Sequence, residues 1–121
     1  MKTLIAIFFL VSLPCLAQQP KAGSTQQASG SITTGGAFQV LSTNNSSRNS
    51  FEFQNLCNVG SNCVAKTDNC YLFFGGQTAT ATTSIIVAAG GYYLRSVGSI
   101  PGDTIQVSCD GTSDKFYGAV Q

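Results

Sequence analysis

The chain has 121 residues, of which 43% are hydrophobic and only 9% are charged, and it contains no histidine and no tryptophan. A typical soluble domain carries about 25% charged residues, so Ser, Thr, Asn, Gln and Gly must supply this polar surface. Six basic and five acidic residues create no field that attracts nucleic acid or an acidic membrane. The missing histidine excludes an imidazole base, a His-paired nucleophile and a His-ligated zinc. The length predicts one domain.

The first residues have the pattern of a secretory signal peptide. Lys2 supplies one positive charge, an apolar run follows over residues 4–11, and Cys15 and Ala17 are the small residues that a cleavage site requires. A run of about eight to ten apolar residues is too short to cross a bilayer as a helix. We therefore predict a signal peptide over residues 1–17, a secreted or periplasmic location, and no stable membrane insertion after cleavage.

Cleavage changes both the charge and the cysteine count. Loss of Lys2 reduces the basic residues from six to five, which equals the five acidic ones, and loss of Cys15 reduces the cysteines from five to four. An even cysteine count in a small exported domain predicts two disulfides. An oxidising compartment removes the thiolates that a four-cysteine zinc site needs, so no metal or cofactor is predicted. The remaining cysteines are Cys57, Cys63, Cys70 and Cys109.

The mature chain divides into two regions that differ in amino-acid composition and hydrophobic pattern. Residues 18–34 hold one charge and one large apolar residue, Ile32, which predicts a flexible polar leader. From residue 35 to 121, short apolar runs of β type alternate with turn clusters and no helical period is sustained. This pattern predicts an all-β fold, a small antiparallel β-sandwich or jelly-roll-like domain of about seven strands. The predicted strands are residues 37–41, 50–56, 70–74, 84–88, 92–95, 104–109 and 115–120.

Local signals add detail to this arrangement. The run 70–74 is apolar on both faces, which indicates a central strand. Asp110-Gly111 indicates a hairpin between the last two strands. A local Cys57–Cys63 loop with a Cys70–Cys109 bridge between strands is the pairing that we favour. Cys57–Cys70 with Cys63–Cys109 satisfies the predicted strand ends almost as well.

Two pairs of acidic residues could in principle bind a metal or take part in catalysis. Asp110 and Asp114 have the spacing of part of a calcium loop, but the other ligands and the closing glutamate are missing, which favours a polar turn. Glu52 and Asp103 suggest a carboxylate-based hydrolase, although nothing in the sequence brings them together. The sequence contains no serine-hydrolase elbow, phosphate-binding loop or dinucleotide fingerprint.

Two further segments are candidates for contact with a partner. Tyr92 and Tyr93 follow a double glycine, and adjacent strand residues face opposite ways, so one ring is expected outside, available to a sugar or a protein. The other aromatic residues are expected mainly in the core. The uncharged stretch 76–83 is either an exposed loop or an edge that pairs with another subunit.

The order of these elements resembles a family of small β-domains among tailed-phage and prophage structural proteins, with a signal peptide and a cysteine-bearing loop added. The resemblance rests on an opening Gly-Gly-Ala-Phe-Gln-Val-Leu strand, a polar turn containing Arg48, and four later elements between residues 51 and 107. It implies a compact β-sandwich that packs on a larger particle or fibre without catalysis. The four elements are Phe-Glu-Phe-Gln-Asn (51–55), Tyr-Leu-Phe-Phe-Gly (71–75), Ile-Ile-Val-Ala-Ala-Gly-Gly-Tyr-Tyr (85–93) and Ile-Pro-Gly-Asp-Thr-Ile-Gln-Val (100–107).

These observations predict a non-catalytic exported domain that serves structure or interaction. A protein partner or self-association is expected before a glycan, and no nucleic acid is expected. The first alternative is a carbohydrate-binding module that uses Tyr92 or Tyr93. The second alternative is the small hydrolase built on Glu52 and Asp103.

Overall fold

A computed structural model describes residues 26–43, 48–96 and 102–121 of the chain. Within these ranges the backbone forms nine β-strands and one short 3-10 helix, and no α-helix. The predicted all-β fold is confirmed. The predicted signal peptide lies outside the described residues. The strands are β1 (Gln26–Gln27), β2 (Gly30–Ser31), β3 (Gln39–Ser42), β4 (Phe51–Asn55), β5 (Cys70–Phe74), β6 (Ile85–Val87), β7 (Tyr92–Arg95), β8 (Ile105–Cys109) and β9 (Lys115–Val120).

Two antiparallel sheets pack against each other as a small β-sandwich. In sheet A, β1 and β2 lie end to end along one edge of β9, and the order continues through β4 to β7. Sheet B has the order β3, β8, β5, β6. β5 therefore pairs on both sides, as its apolar character predicted.

The alternation along each strand determines which side chains reach the core. Phe51 and Phe53 of β4 are fully buried, whereas the intervening Glu52 points away from the core. Phe51 contacts Phe74 of sheet B edge to face, with 5.6 Å between the ring centroids, so aromatic packing joins the two sheets. The buried apolar cluster also contains Ile32, Leu72, Val87, Ile105, Val107, Phe116 and Val120.

The second half of the predicted flexible leader belongs to the fold. Residues 26–31 pair with β9, and Ile32 is only 1% exposed inside the apolar cluster. The Ile32 N–H donates to the carbonyl of Asp114 at 2.9 Å, and the Ser113 N–H donates to the carbonyl of Ile32 at 2.8 Å. The prediction of flexibility was therefore wrong for this part, because pairing with β9 and one buried side chain offset the cost of ordering.

The predicted hairpin at Asp110-Gly111 was also wrong. β8 pairs with β3 and β5 in sheet B, whereas β9 lies in sheet A, so this connection crosses between the sheets. Asp114 is fully buried and redirects the chain: its carboxylate accepts the Gly111 N–H at 2.8 Å and the Val64 N–H at 3.1 Å. A Cβ on Gly111 would lie 2.6 Å from that carboxylate, so the close approach requires glycine.

The four predicted cysteines form two disulfides, and the favoured pairing is confirmed. Cys57 pairs with Cys63 within the loop that follows β4, and Cys70 pairs with Cys109 between β5 and β8. Such bonds are typical of proteins that fold in an oxidising, extracytoplasmic environment. No helix in the described ranges is long and apolar enough to cross a membrane.

Candidate functional site

The outer surface of sheet A carries an aromatic and polar cluster that we call the tyrosine–glutamate face, formed by Glu52, Gln54, Tyr92, Leu94 and Tyr117. The pairing of β4 with β7 on one side and with β9 on the other brings these residues together. The outward-facing side chains of β4 therefore lie between those of β7 and β9. Gln54 is the direct partner of Tyr92 on one side and of Tyr117 on the other. In the adjacent row Glu52 lies opposite Leu94.

One carboxylate holds both tyrosines of this face. The Tyr92 hydroxyl donates to Glu52 Oε2 at 2.6 Å, and the Tyr117 hydroxyl donates to Glu52 Oε1 at 2.8 Å. The hydrogen bond from Tyr92, followed by that from Tyr117, lowers the pKa of Glu52 because both stabilise the ionised form. The same bonds raise the pKa of each tyrosine, since they hold the phenol protonated beside a negative charge. The rings are therefore fixed at their hydroxyl ends.

Part of the tyrosine–glutamate face is exposed to solvent although its tyrosine hydroxyls are hydrogen-bonded. Tyr92 is 54% exposed and Leu94 is 58% exposed, so an apolar residue and an aromatic ring remain available to a partner. Beside Glu52 a small cavity of about 150 Å³ opens between Ser50, Ala119 and Gln121. Aromatic enrichment with few charged residues is characteristic of protein interfaces, and pre-ordered rings lose little conformational entropy on binding.

The two tyrosines predicted as binding residues have different surroundings. Tyr92 points outward, whereas Tyr93 faces the core, with its ring centroid 6.1 Å from Phe74 and 6.3 Å from Phe51. This agrees with the expectation that adjacent strand residues face opposite ways. Sequence reasoning missed Tyr117 and Gln54, because both join the face only through the pairing of β4 with β7 and β9.

The acidic residues of the predicted turn serve local structure. Asp110 accepts the Asn69 N–H at 2.8 Å and the Tyr71 hydroxyl at 2.9 Å, and the latter bond raises the pKa of Tyr71. Cys57, Cys63 and Asp114 place potential metal ligands within 4.8 Å of one another. The two sulfurs are joined in a disulfide, however, and both oxygens of Asp114 accept backbone N–H groups. This cluster therefore fits a structural role.

Glu52 and Asp103 occupy different surroundings. Glu52 lies on the outer face of sheet A, whereas Asp103 precedes β8 of sheet B, where its carbonyl accepts a hydrogen bond from Arg48. Burial lowers the pKa of the Arg48 guanidinium, and the charge of Asp103 opposes that shift. The described residues therefore place these two acidic residues on different sheets, with no shared site.

The first half of the stretch 76–83, residues 76–79, lines an open cleft on sheet B. The residues of the whole stretch are mostly exposed and end in a 3-10 helix at Ala81–Thr83. Gln106 fixes the beginning of the stretch by donating to the carbonyls of Gly75 at 2.8 Å and Gln77 at 2.9 Å. The cleft, of about 680 Å³, has Phe38 and Val40 on its other side. The residues that line the cleft are all uncharged, so it has no charged group that could orient a ligand.

Comparison of the chain with family models, with curated proteins and with solved structures finds no match. The proposal for function therefore depends on the residues and their geometry.

Proposed function

We propose that this protein is an exported, non-catalytic interaction domain that contacts a protein partner through the tyrosine–glutamate face. The observation that carries the proposal is the pair of hydrogen bonds from Tyr92 and Tyr117 to Glu52, which fix an exposed aromatic surface in advance of binding. Partner binding then orders few additional side chains, and burial of Tyr92 and Leu94 supplies the apolar contact.

Export is supported by two independent features of the chain. The predicted signal peptide over residues 1–17 directs secretion, and the two disulfides suit the oxidising compartment outside the cytoplasm. The resemblance to small phage and prophage β-domains, itself a prediction, implies a role in packing on a larger assembly. A neutral mature chain is compatible with such packing, because no large net charge opposes contact.

A capture experiment with matched variants tests the proposal. The mature chain is immobilised and exposed to the exported fraction of the source cells, alongside Leu94→Lys and Val40→Lys. Both replaced residues are well exposed, but Val40 lies on sheet B. We expect wild type and Val40→Lys to retain the same stoichiometric protein and Leu94→Lys to lose it. Titration of that purified protein should then give at least about tenfold weaker binding to Leu94→Lys. Equal binding by Leu94→Lys contradicts the proposal.

A second candidate is a carbohydrate-binding module, favoured by the exposed Tyr92 ring beside the amide of Gln54. A ring face can stack on a sugar while neighbouring polar groups bind its hydroxyls. Because the chain has no tryptophan, its tyrosine fluorescence reports directly on such a ligand. Polysaccharide titrations of wild type, Tyr92→Phe and Tyr92→Ala should show binding that survives in Tyr92→Phe and disappears in Tyr92→Ala. The absence of any response in wild type argues against this candidate.

A further inference from the structure

We propose that β6 is a self-association edge, which pairs antiparallel with β6 of a second copy of this chain. The inference concerns a surface other than the tyrosine–glutamate face and stands without it. Within the described residues, β6 pairs with β5 on one side only and has no strand neighbour on the other, although its Val87 carbonyl accepts a hydrogen bond from the buried Asn55 side-chain amide at 2.9 Å. Unpaired edges of this kind are templates for strand addition unless the protein protects them.

The other edges of the sandwich carry features that oppose strand addition. In sheet A, β1 and β2 pair with β9 and form that edge themselves, and each is only two residues long. β3 contains a register shift between Val40 and Ser42, and such irregularities disrupt regular pairing. β7 ends in Arg95, whose guanidinium lies 5.1 Å from the centroid of the Phe74 ring. β6 contains no bulge, no proline and no charged residue, and its length of only three residues is the one protecting feature that it carries.

The part of the sequence that contains β6 is also free of charge. Between Asp68 and Arg95 the sequence contains no charged residue at all, although this interval includes β5, β6 and all of β7 except Arg95. Ile86 points away from the core and is 62% exposed, and Ile85 is 37% exposed at the rim between the sheets. Lysine is the residue that natural proteins most often place on an exposed edge to prevent pairing, and this edge lacks it.

These properties favour a second copy as the occupant. Antiparallel pairing of identical strands is two-fold symmetric, so Ile86, the central residue of β6, would lie opposite its own copy. The resulting contact would be apolar and free of like-charge repulsion. A strongly charged partner would find no complementary group along this edge. Because β6 is only three residues long, the association is expected to be concentration-dependent rather than permanent.

Sedimentation velocity of the oxidised mature chain over a range of concentrations tests this inference. For wild type and the matched control Val40→Lys, we expect the mass to rise towards twice that of the monomer. Ile86→Lys should remain monomeric at every concentration. Both replaced side chains are exposed and lie on sheet B, so folding is expected to survive each change. A wild type that stays monomeric throughout overturns the inference, as does undiminished association of Ile86→Lys.

Two further measurements locate the contact. Amide hydrogen exchange of residues 85–87 should become slower as the wild-type concentration rises, whereas the same residues of Ile86→Lys should show no such dependence. Leu94→Lys separates the two proposed surfaces, because it alters only the tyrosine–glutamate face. Association that is lost in Leu94→Lys but retained in Ile86→Lys would overturn pairing through β6 while leaving the tyrosine–glutamate face as an interaction surface.

Discussion

Cys70 and Cys109 are direct partners across β5 and β8, with their Cα atoms 4.0 Å apart and both side chains fully buried. Their disulfide joins residues 39 positions apart, whereas the Cys57–Cys63 bond joins residues only six apart. The longer bond therefore restricts the unfolded chain far more, and it does so in the middle of sheet B.

Removal of the two disulfides should consequently have unequal effects. In the chain-entropy model, Cys70→Ala with Cys109→Ala lowers the free energy of unfolding by about 4 kcal/mol. Cys57→Ala with Cys63→Ala lowers it by about 2 kcal/mol. Urea denaturation of both double variants and of the oxidised wild type measures the difference. An equal loss, or a larger loss for the Cys57–Cys63 variant, would contradict this prediction.

Ile32 should contribute to stability although it lies in a polar, glycine-containing segment. It is 1% exposed within the core, so Ile32→Ala removes buried methyl groups and leaves a cavity. We expect the free energy of unfolding to fall by about 3 kcal/mol. The control is Ile86→Ala, which replaces an exposed isoleucine and should change stability by less than about 1 kcal/mol. Similar values for the two variants in urea denaturation would mean that the segment is not docked.

The acid sensitivity of the tyrosine–glutamate face depends on Glu52. Its folded pKa lies below the ordinary value of 4.5, because Tyr92 and Tyr117 stabilise the carboxylate. Its contribution to stability is therefore present above pH 4.5 and is lost as the pH falls through the lower folded pKa. Thermal melts across this range should show a small acid-dependent loss in wild type that Glu52→Gln lacks. An identical pH dependence in both proteins would contradict the assignment.

The tyrosines should respond at the alkaline end. The pKa values of Tyr92 and Tyr117 are raised above 10.0 by Glu52, so their contribution is complete below pH 10.0 and is lost as the pH rises through the folded pKa. Phenolate absorbance should show earlier ionisation of these two groups in Glu52→Gln. The raised pKa of Tyr71, which depends first on its bond to Asp110, should not change and provides an internal reference. A titration curve unaltered by Glu52→Gln would refute the link.

The sequence predicted those parts of the molecule that depend on strong local patterns. Short apolar runs separated by turn clusters indicated the strands β3 to β9, and strand ends favoured the observed cysteine pairing. β1 and β2 escaped prediction because two-residue strands have no pattern of their own and owe their order to β9. The Asp110-Gly111 pair wrongly predicted a hairpin. Asp114, which follows it and is buried, redirects the chain from one sheet to the other.

The candidate site was only half predictable for a related reason. Tyr92 stood out because it follows a double glycine and adjoins another tyrosine. Tyr117 lies 65 positions from Glu52 in the sequence, and only the pairing of β4 with β9 brings its hydroxyl to that carboxylate. Contacts across strands require the register, which residue patterns alone did not specify.

The most direct test of the account is a hydrogen–deuterium exchange footprint of the mature chain with its captured and purified partner. Backbone amides within a sheet already exchange slowly before any partner binds. The footprint therefore also includes chemical labelling of the Tyr92 and Tyr117 side chains, which lie on the tyrosine–glutamate face. Partner binding through this face should protect these two tyrosines and the backbone of β7. Protection confined to the cleft around residues 36–40 and 76–79, with both tyrosines still fully labelled, would contradict it.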